Sequence, residues 1–331
     1  MTFAVWLASL FLTMAQPMQK TSSSQVFRPS HAKGRVPALK SAESWFQKGL
    51  RFHQNNQLDE AEAAYQQALA IDALHFDATH LLGVAAYEKK DWHRALELIS
   101  KALRIRSDQA SAYSNLGNVF KQLGQLDQAI LCYQKAIELQ PDFAIAHNNL
   151  GSTLKDMGRL DEASVACERA IALRPDYAEA HWNLSLVLLV GGQLKAGFEK
   201  FEWRWRAERT GLKMPLLSTP LWLGNSDVSG RTVLVYAEQG LGDSIHFCRY
   251  VPMIQALGAK VILAVPKPLV GLMDSLGADH VVEAGQALPP YDVHCPMLSL
   301  PLAFKTDLDT IPYANGYLRA DPIKSAVWRQ Q

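Results

Sequence analysis

A glycine-containing stretch carries the residues whose types and spacing suit chemistry best. It reads EQGLGDS at residues 238–244 and follows the apolar run TVLVYA at residues 232–237. A helical stretch is expected from Ser244, which puts Asp243 at a helix amino terminus, where backbone N–H groups and the helix dipole favour an anion. Ligands of parallel sheets bind at the carboxyl ends of strands. The position of this loop predicts a ligand site at Asp243, with Gly240 and Gly242 forming a tight turn and with Glu238 either orienting the loop or facing solvent.

Asp243 admits two interpretations. An aspartate is a favoured N-cap, which contributes ~1 kcal/mol, and capping alone would explain it. Alternatively, Asp243 caps the helix and also binds an acceptor or removes a proton from it. A helix amino terminus lowers the pKa of a carboxyl and weakens it as a base unless burial opposes the dipole.

Three common kinds of site are disfavoured, two of them at this loop and one at a later strand. Gly240 and Gly242 begin a G-x-G-x-x-G pattern, but Ile245 stands where the third glycine belongs. A P-loop needs Gly-Lys-Ser/Thr, which is absent here. His294 lies beside Cys295 with no further ligand at metal spacing, so no metal site and no resident cofactor are expected.

The elements that position this loop read as a small parallel sheet. Continuous apolar runs that alternate with helical stretches are typical of parallel strands covered by helices. The predicted strands are residues 232–237, 260–265, 280–284 and 291–295, and the predicted helices are residues 244–257, kinked at Pro252, and 268–276. We interpret residues 231–320 as a Rossmann-like layer, preceded by a linker at 212–230 and followed by a tail at 321–331.

A 34-residue period organises residues 42–211. Small residues recur at that spacing at Gly49, Gly83, Gly117, Gly151 and Ser185. Alanines follow twelve residues after the first four of them, and the apolar residues within each copy fall on two helical faces. The period predicts five stacked helix pairs. The fifth copy is degenerate, as a terminal copy should be.

The copies resemble the tetratricopeptide repeat (TPR), most closely in YSNLGNVFKQLGQLDQAILCYQKAIELQPD and HNNLGSTLKDMGRLDEASVACERAIALRPD. The resemblance implies a superhelix whose first helices line a concave groove that binds a protein or peptide. Asn115, Asn149 and Asn183 share one position of the first helices, and their amides can donate to and accept from a peptide backbone. A similar ladder is a feature of O-linked N-acetylglucosamine transferases. Alternatively, these asparagines cap neighbouring helices or face solvent.

The stretch EQGLGDSIHFCRYVPMIQALGAKVILAV resembles the amino-terminal half of bacterial two-Rossmann (GT-B) glycosyltransferases of the heptosyltransferase kind. This resemblance implies that Asp243 is the general base for the acceptor hydroxyl, with Gly242 before it and His246 one turn on. Residues 42–320 as a whole resemble bacterial proteins that join TPRs to a glycosyltransferase-like domain. The expected fold is an α-helical TPR solenoid followed by a single α/β Rossmann-like half domain.

Two functions remain open. The first is a protein- or peptide-binding TPR scaffold that carries an incomplete glycosyltransferase-like domain, inactive as this chain. The second is a glycosyltransferase dependent on a nucleotide sugar, whose donor-binding half is supplied by another chain or lost by truncation. The stretch after the linker suffices for one Rossmann layer, and a missing second half is therefore expected.

Charge and composition limit the partners and the location. Thirty-three Lys+Arg against 32 Asp+Glu give a net charge of +1, which provides no basic field for nucleic acid. The apolar run at residues 3–15 is shorter than the ~18 residues of a membrane span, and no Lys or Arg precedes it. We predict a leader at residues 1–41, disordered or a weak signal or anchor. Four cysteines without CxxC spacing suggest the cytoplasm. Membrane association or export through the apolar amino terminus is the alternative.

Overall fold

The computed structural model describes residues 41–313 and 316–329. They form two compact units. One comprises the described residues up to Val187 together with Arg206–Gly211, and the other comprises Leu188–Trp205 and those from Leu212 onward. The predicted leader lies outside the described residues, apart from Ser41.

Ten helices in tandem form the repeat array, two to each 34-residue copy. The side chain of Ser41 caps the first of them by accepting a hydrogen bond from the backbone N–H of Ser44. In chain order the helices are α1 (Ala42–Gln54), α2 (Leu58–Ile71), α3 (Phe76–Glu88), α4 (Trp92–Ile105), α5 (Ala110–Gln122), α6 (Leu126–Leu139), α7 (Ala144–Asp156), α8 (Leu160–Leu173), α9 (Ala178–Val190) and α10 (Leu194–Phe201).

The turn inside each pair requires a left-handed backbone at one position. That position is Gly124, Gly158 and Gly192 in the last three copies, with φ between 75° and 79°, and Asn56 in the first. Lys90 takes the same conformation in the second copy, with φ of 64°. The left-handed conformation has a steric cost for lysine that glycine avoids. The packing of the helices therefore sets the conformation of this turn against the preference of Lys90.

In the first four pairs the two helices approach closely because the first helix has a glycine at the contact. A Cβ on Gly117 would lie 2.6 Å from Cε1 of Tyr133, closer than real Cβ atoms come. Each partner lies 16 residues after its glycine and is fully buried. The pairs are Gly49 with Tyr65, Gly83 with Ile99, Gly117 with Tyr133 and Gly151 with Cys167.

The second unit contains the predicted parallel sheet. Its strands are β1 (Thr232–Tyr236), β2 (Lys260–Val265), β3 (His280–Glu283) and β4 (Val293–Pro296), all parallel, in the order β3-β2-β1-β4. The sequence placed the start of the fourth strand two residues too early. Asp292 precedes β4. Its carboxylate accepts a hydrogen bond from the backbone N–H of Thr232 at 2.7 Å, and its own backbone N–H donates to the carbonyl of Thr232 at 2.9 Å.

The helices of this unit are short and interrupted. The predicted helix at 244–257 begins earlier and divides into α11 (Leu241–Phe247), a 3-10 turn at Cys248–Tyr250 and α12 (Val251–Ala256). Pro252 explains the interruption, because it lacks the N–H that would bond the carbonyl of Cys248 in a continuous helix. The remaining helices are α13 (Val270–Met273), α14 (Leu300–Ala303) and α15 (Pro322–Trp328), the last of them in the segment interpreted as a tail.

Two properties of the described residues bear on the environment. Within residues 41–313 and 316–329, no helix combines the length and the apolar character that crossing a membrane requires. All four cysteines are free thiols, and three of them are buried.

We expect Gly117→Ala to destabilise the array by roughly 1–3 kcal/mol, because the added methyl must displace the ring of Tyr133. Alanine would by itself favour the helix by about 1 kcal/mol. Gly271→Ala is the matched control, since a Cβ at Gly271 meets open space. Urea unfolding followed by circular dichroism measures both. Equal stability of Gly117→Ala and the wild type would show that the close approach is not required.

Candidate functional site

The first helices of the repeats line the inner face of the array. Successive first helices contact each other along the series α1, α3, α5 and α7, and they do so more extensively than successive second helices. The curvature therefore brings the first helices together, and their side chains form the surface that the concave-groove prediction requires.

The three predicted asparagines each bond to the preceding repeat. Asn115 Nδ2 lies 3.0 Å from Nε2 of His80, and Asn149 donates to Oδ1 of Asn118 at 3.1 Å. Asn183 donates to Oδ1 of Asn148 at 2.8 Å and is only 5% exposed. None of these bonds is a helix cap. Asn115 and Asn149 are partly exposed, whereas Asn183 is buried, so two of the three amides are accessible at the surface.

A polar network that was not predicted from the sequence joins the third and fourth copies beside Asn149. The ammonium of Lys121 donates to Oγ of Ser152 at 2.8 Å and pairs with Asp156 at 2.8 Å, and Lys155 also pairs with Asp156 at 2.8 Å. Asn118 accepts from the hydroxyl of Tyr133 at 2.8 Å. The network leaves two ammonium groups around one carboxylate.

The signal for this network was present in the sequence. Tyr87, Lys121 and Lys155 are 34 residues apart and hold one position at the end of the first helices. Burial lowers the pKa of Lys121, and the nearby Arg209 adds to that effect, while Asp156 opposes it. Burial raises the pKa of Asp156, but Lys121 and Lys155 outweigh it and the net pKa is lowered.

In the α/β unit, Asp243 lies in the first turn of α11 but is not its N-cap. The N-cap is Gly240, and Oδ2 of Asp243 reaches back to accept its backbone N–H at 3.0 Å. The N-cap interpretation of Asp243 is therefore wrong by three positions, because α11 begins at Leu241 and not at Ser244. Neither Gly240 nor Gly242 has a positive φ, so the backbone conformation does not require glycine. A Cβ on Gly240 would, however, crowd Oδ2 of Asp243 at 3.3 Å. A Cβ at Gly242 would meet open space.

Burial sets the electrostatics of this loop. Asp243 is 8% exposed, and desolvation raises its pKa to about 6 although the Gly240 N–H opposes the rise. Within the described residues, its Oδ1 is buried without a hydrogen-bond partner. Burial, with a smaller effect of Arg249, lowers the pKa of His246 to about 3, so this imidazole is neutral at pH 7. Burial thus opposes the helix dipole at Asp243, as a base would require.

Glu238 does not face solvent. Its Oε1 accepts from Nη2 and Nε of Arg204 at 2.7 and 3.2 Å, and its side chain is 4% exposed. The fully buried Arg204 also pairs with Glu202 at 2.6 Å and donates to Oγ of Ser299 at 2.7 Å. Burial raises the pKa of Glu238 to about 7, against the effect of Arg204. Through Arg204, Glu238 fixes the start of the loop.

The chemistry open to each surface differs. The inner face presents amide and ammonium groups for hydrogen bonding, whereas the loop holds two buried carboxyls, Glu238 and Asp243, whose pKa values are raised towards neutrality. In the part of the chain that the structure describes, no cluster of three His, Cys, Asp or Glu side chains could hold a metal ion.

Models of the tetratricopeptide repeat match residues 46–110, 117–158 and 144–177. The ten helices thus form a TPR solenoid. No curated protein matches the sequence closely enough to count as a relative.

Several solved structures are similar to the array. One is YrrB, described as a TPR protein with an unusual peptide-binding site, at 24% identity over 50% of this chain and 86% of that one, with a TM-score of 0.42. A structure of MamA has 24% identity over 53% of this chain and 97% of that one, with a TM-score of 0.44. TTC0263, a thermophilic TPR protein of Thermus thermophilus, has 19% identity over 52% and 92%, with a TM-score of 0.45.

We expect Asp243→Asn to change the pH dependence of stability. A carboxyl whose folded pKa is raised stabilises the fold below its ordinary pKa of 3.8, and that contribution is lost as the pH rises towards about 6. Relative to Asp243→Asn, the wild type should lose up to about 3 kcal/mol over this range, at 1.36 kcal/mol per pKa unit, because the other titrating groups are common to both proteins. The variant keeps an acceptor for the Gly240 N–H and should not show this loss.

Urea unfolding between pH 4 and 8, followed by tryptophan fluorescence, measures the effect. Asp274→Asn, at an exposed aspartate of the same unit, is the control and should follow the wild type. Identical profiles for Asp243→Asn and the wild type would mean that Asp243 titrates as an exposed carboxyl.

Proposed function

We propose that this chain is a scaffold whose TPR solenoid binds a protein or peptide on the inner face of its first helices. The observation that carries this proposal is the polar surface of the third and fourth copies. There Asn115, Asn149 and Lys121 are held by neighbouring repeats at 2.8–3.1 Å and remain partly exposed. Because these groups are already fixed, a ligand would not have to order them.

The type of group favours peptide over other ligands. An amide side chain has two donor hydrogens and an acceptor oxygen with two lone pairs, and each asparagine uses one donor hydrogen within the array. The remaining donor and acceptor can pair with the C=O and N–H of a peptide backbone. Such pairing does not depend on the side chains of the peptide, so this surface would bind peptides of many different sequences.

We expect Asn115→Ala/Asn149→Ala to weaken peptide binding about tenfold, since two hydrogen bonds of about 0.5–1.5 kcal/mol would be lost. A random peptide array identifies a binder, and fluorescence anisotropy measures its affinity for the wild type and the variant. Gln128→Ala/Gln134→Ala is the matched control, because both are exposed amides on the outer helix α6. Unchanged affinity of the asparagine variant would exclude the inner face as the binding surface.

Asn183 is left unaltered in this test for a structural reason. Its removal would leave the carbonyl oxygen of Asn148, itself only 2% exposed, without the donor at 2.8 Å. A buried acceptor that loses its partner costs about 1–3 kcal/mol. We therefore expect Asn183→Ala, unlike a change at an exposed amide, to lower the stability of the array.

We infer further that the α/β unit is a Rossmann-like half of a glycosyltransferase-like domain. Its strand order, β3-β2-β1-β4, matches the first four strands of a doubly wound sheet, and the glycine loop follows the central strand β1. Asp243 has a pKa of about 6, close to that of an efficient general base at neutral pH. The open space at Gly242 would let an acceptor approach α11.

Sugar transfer would additionally need a lobe that binds the nucleotide diphosphate, because charge stabilisation of the leaving group is commonly the largest catalytic contribution. We propose that such a lobe, if the unit is catalytic, comes from outside these residues. Glu238, paired with Arg204 at 2.7 Å, would then support the loop, and Asp243 would receive the acceptor proton.

We expect the purified protein to transfer no sugar from a panel of nucleotide sugars to peptide or glycan acceptors, because within residues 41–313 and 316–329 one four-stranded sheet is present and no second lobe of that kind. Product formation is measured by mass spectrometry, with Asp243→Asn as the control for any signal. Transfer that disappears in Asp243→Asn would contradict the scaffold proposal and establish an active enzyme.

A further inference from the structure

The first helices of the third and fourth copies, α5 and α7, carry an unbalanced charge. Among Asp, Glu, Lys and Arg, α5 contains Lys121 alone, and α7 contains Lys155 and Asp156. Burial lowers the pKa of His147 of α7, so this imidazole is neutral at pH 7. The two helices together therefore have one positive charge in excess.

All three charged groups lie in one cluster and are partly buried. Asp156 pairs with Lys121 and with Lys155, each at 2.8 Å, and the two lysine side chains are only 20% and 16% exposed. Charges withdrawn from water are costly unless opposite charges compensate for the lost hydration. Here one carboxylate compensates two ammonium groups, so the cluster lacks a negative charge.

Lys121 retains a donor for a further carboxylate. An ammonium group has three hydrogens, and Lys121 donates to two acceptors, Oγ of Ser152 and Oδ2 of Asp156, both at 2.8 Å. Burial lowers the pKa of Lys121 while Asp156 opposes that effect. A second carboxylate beside the two lysines would supply the missing charge and accept the remaining hydrogen.

The cluster lies on the same strip of α5 and α7 as the asparagine amides. Asn118 and Lys121 are three residues apart on α5, and residues at that spacing share a helix face. Asn149 and Ser152 have the same spacing on α7, and Asn149 donates to Asn118 at 3.1 Å. A peptide whose backbone pairs with Asn149 would thus pass the two ammonium groups along its length, not at its end.

The adjoining first helices carry acids. Asp77 and Glu88 belong to α3, which precedes α5 in the series, and Glu179 belongs to α9, which follows α7. Like charges that face each other in a complex are unfavourable. The charge pattern therefore favours one acid at the centre of a peptide over a run of acids.

We propose that the surface of α5 and α7 binds peptides that carry one internal aspartate or glutamate, whose carboxylate lies between Lys121 and Lys155. This inference rests on the proposed peptide-binding function and adds one required side chain to it, because the asparagines pair only with the backbone. Asp156 then competes with the ligand for the same two ammonium groups.

The probe is the strongest binder from an array of peptides that are blocked at both ends and have neutral random residues around a central glutamate. It is labelled with fluorescein and remade with a central glutamine, and again with a central glutamine and a free carboxyl terminus. Anisotropy measures all three affinities for the full protein. We expect the glutamate peptide to bind about tenfold more tightly than either glutamine peptide, because it adds a hydrogen bond to a charged group.

Two variants of the protein test the lysines and their internal partner separately. Lys121→Gln should weaken the glutamate peptide about tenfold and leave the glutamine peptide unchanged. Asp156→Asn should tighten the glutamate peptide several-fold, because the competing carboxylate is gone. Lys101→Gln is the matched control, since it removes the same charge from an exposed position of the outer helix α4 and should bind as the wild type does.

Melting temperatures measured by circular dichroism show whether each variant is folded. If Lys121→Gln does not fold, Asp156→Asn decides, because an ion pair that only links the two copies predicts no gain in affinity when its carboxylate is removed. Unchanged or weaker binding of the glutamate peptide to Asp156→Asn would therefore overturn the inference.

Two results with the peptides would also overturn it. One is equal affinity of the glutamate and glutamine peptides. The other is binding restored by the free carboxyl terminus, because the protein would then recognise the end of a chain. The proposed function survives these results if peptide binding still depends on Asn115 and Asn149. If no peptide binds at all, the proposed function fails together with the inference.

Discussion

In the first four copies, a glycine at one position of the first helix sets the distance between the two helices of the pair. At Gly49, Gly83, Gly117 and Gly151 the backbone of the first helix lies against a buried side chain of the second helix, 16 residues later. The close approach fixes the rotation of the first helix within its pair. Because successive first helices then contact each other, Asn149 reaches Asn118 and Lys121 reaches Ser152. The spacing of polar groups on the inner face is thus a consequence of packing inside the pairs.

Charge burial has the corresponding role in the α/β unit. The fully buried Arg204 pairs with Glu202 and Glu238, and this fixes the strand end from which the loop to α11 starts. Buried pairs of this kind add little net stability, but the loss of one partner leaves an uncompensated charge. Asp243 follows in the same loop, and the desolvation that raises its pKa depends on that loop staying closed.

The sequence predicted what depends on local periodicity and missed what depends on distant partners. The helix pairs and the parallel strands were predictable, because the spacing of apolar residues within each short segment indicates which of its faces is buried. The left-handed Lys90 was not, since packing overrode the preference of the residue. The pairing of Glu238 with Arg204 and the burial of Asn183 also involve contacts outside the local segment. The start of α11 was predicted three residues too late, at Ser244 instead of Leu241, because glycine gives a weak signal for where a helix begins.

The last copy departs from the others at the position where Ala68, Ala102, Ala136 and Ala170 are buried. Arg204 stands there, fully enclosed, and it neutralises two carboxylates of its own unit. An inner copy moved into this place by recombination would bring an alanine in place of Arg204 and leave Glu238 without its cation. Gene duplication could therefore lengthen or shorten the array among its inner copies, but the fifth copy is not interchangeable with them.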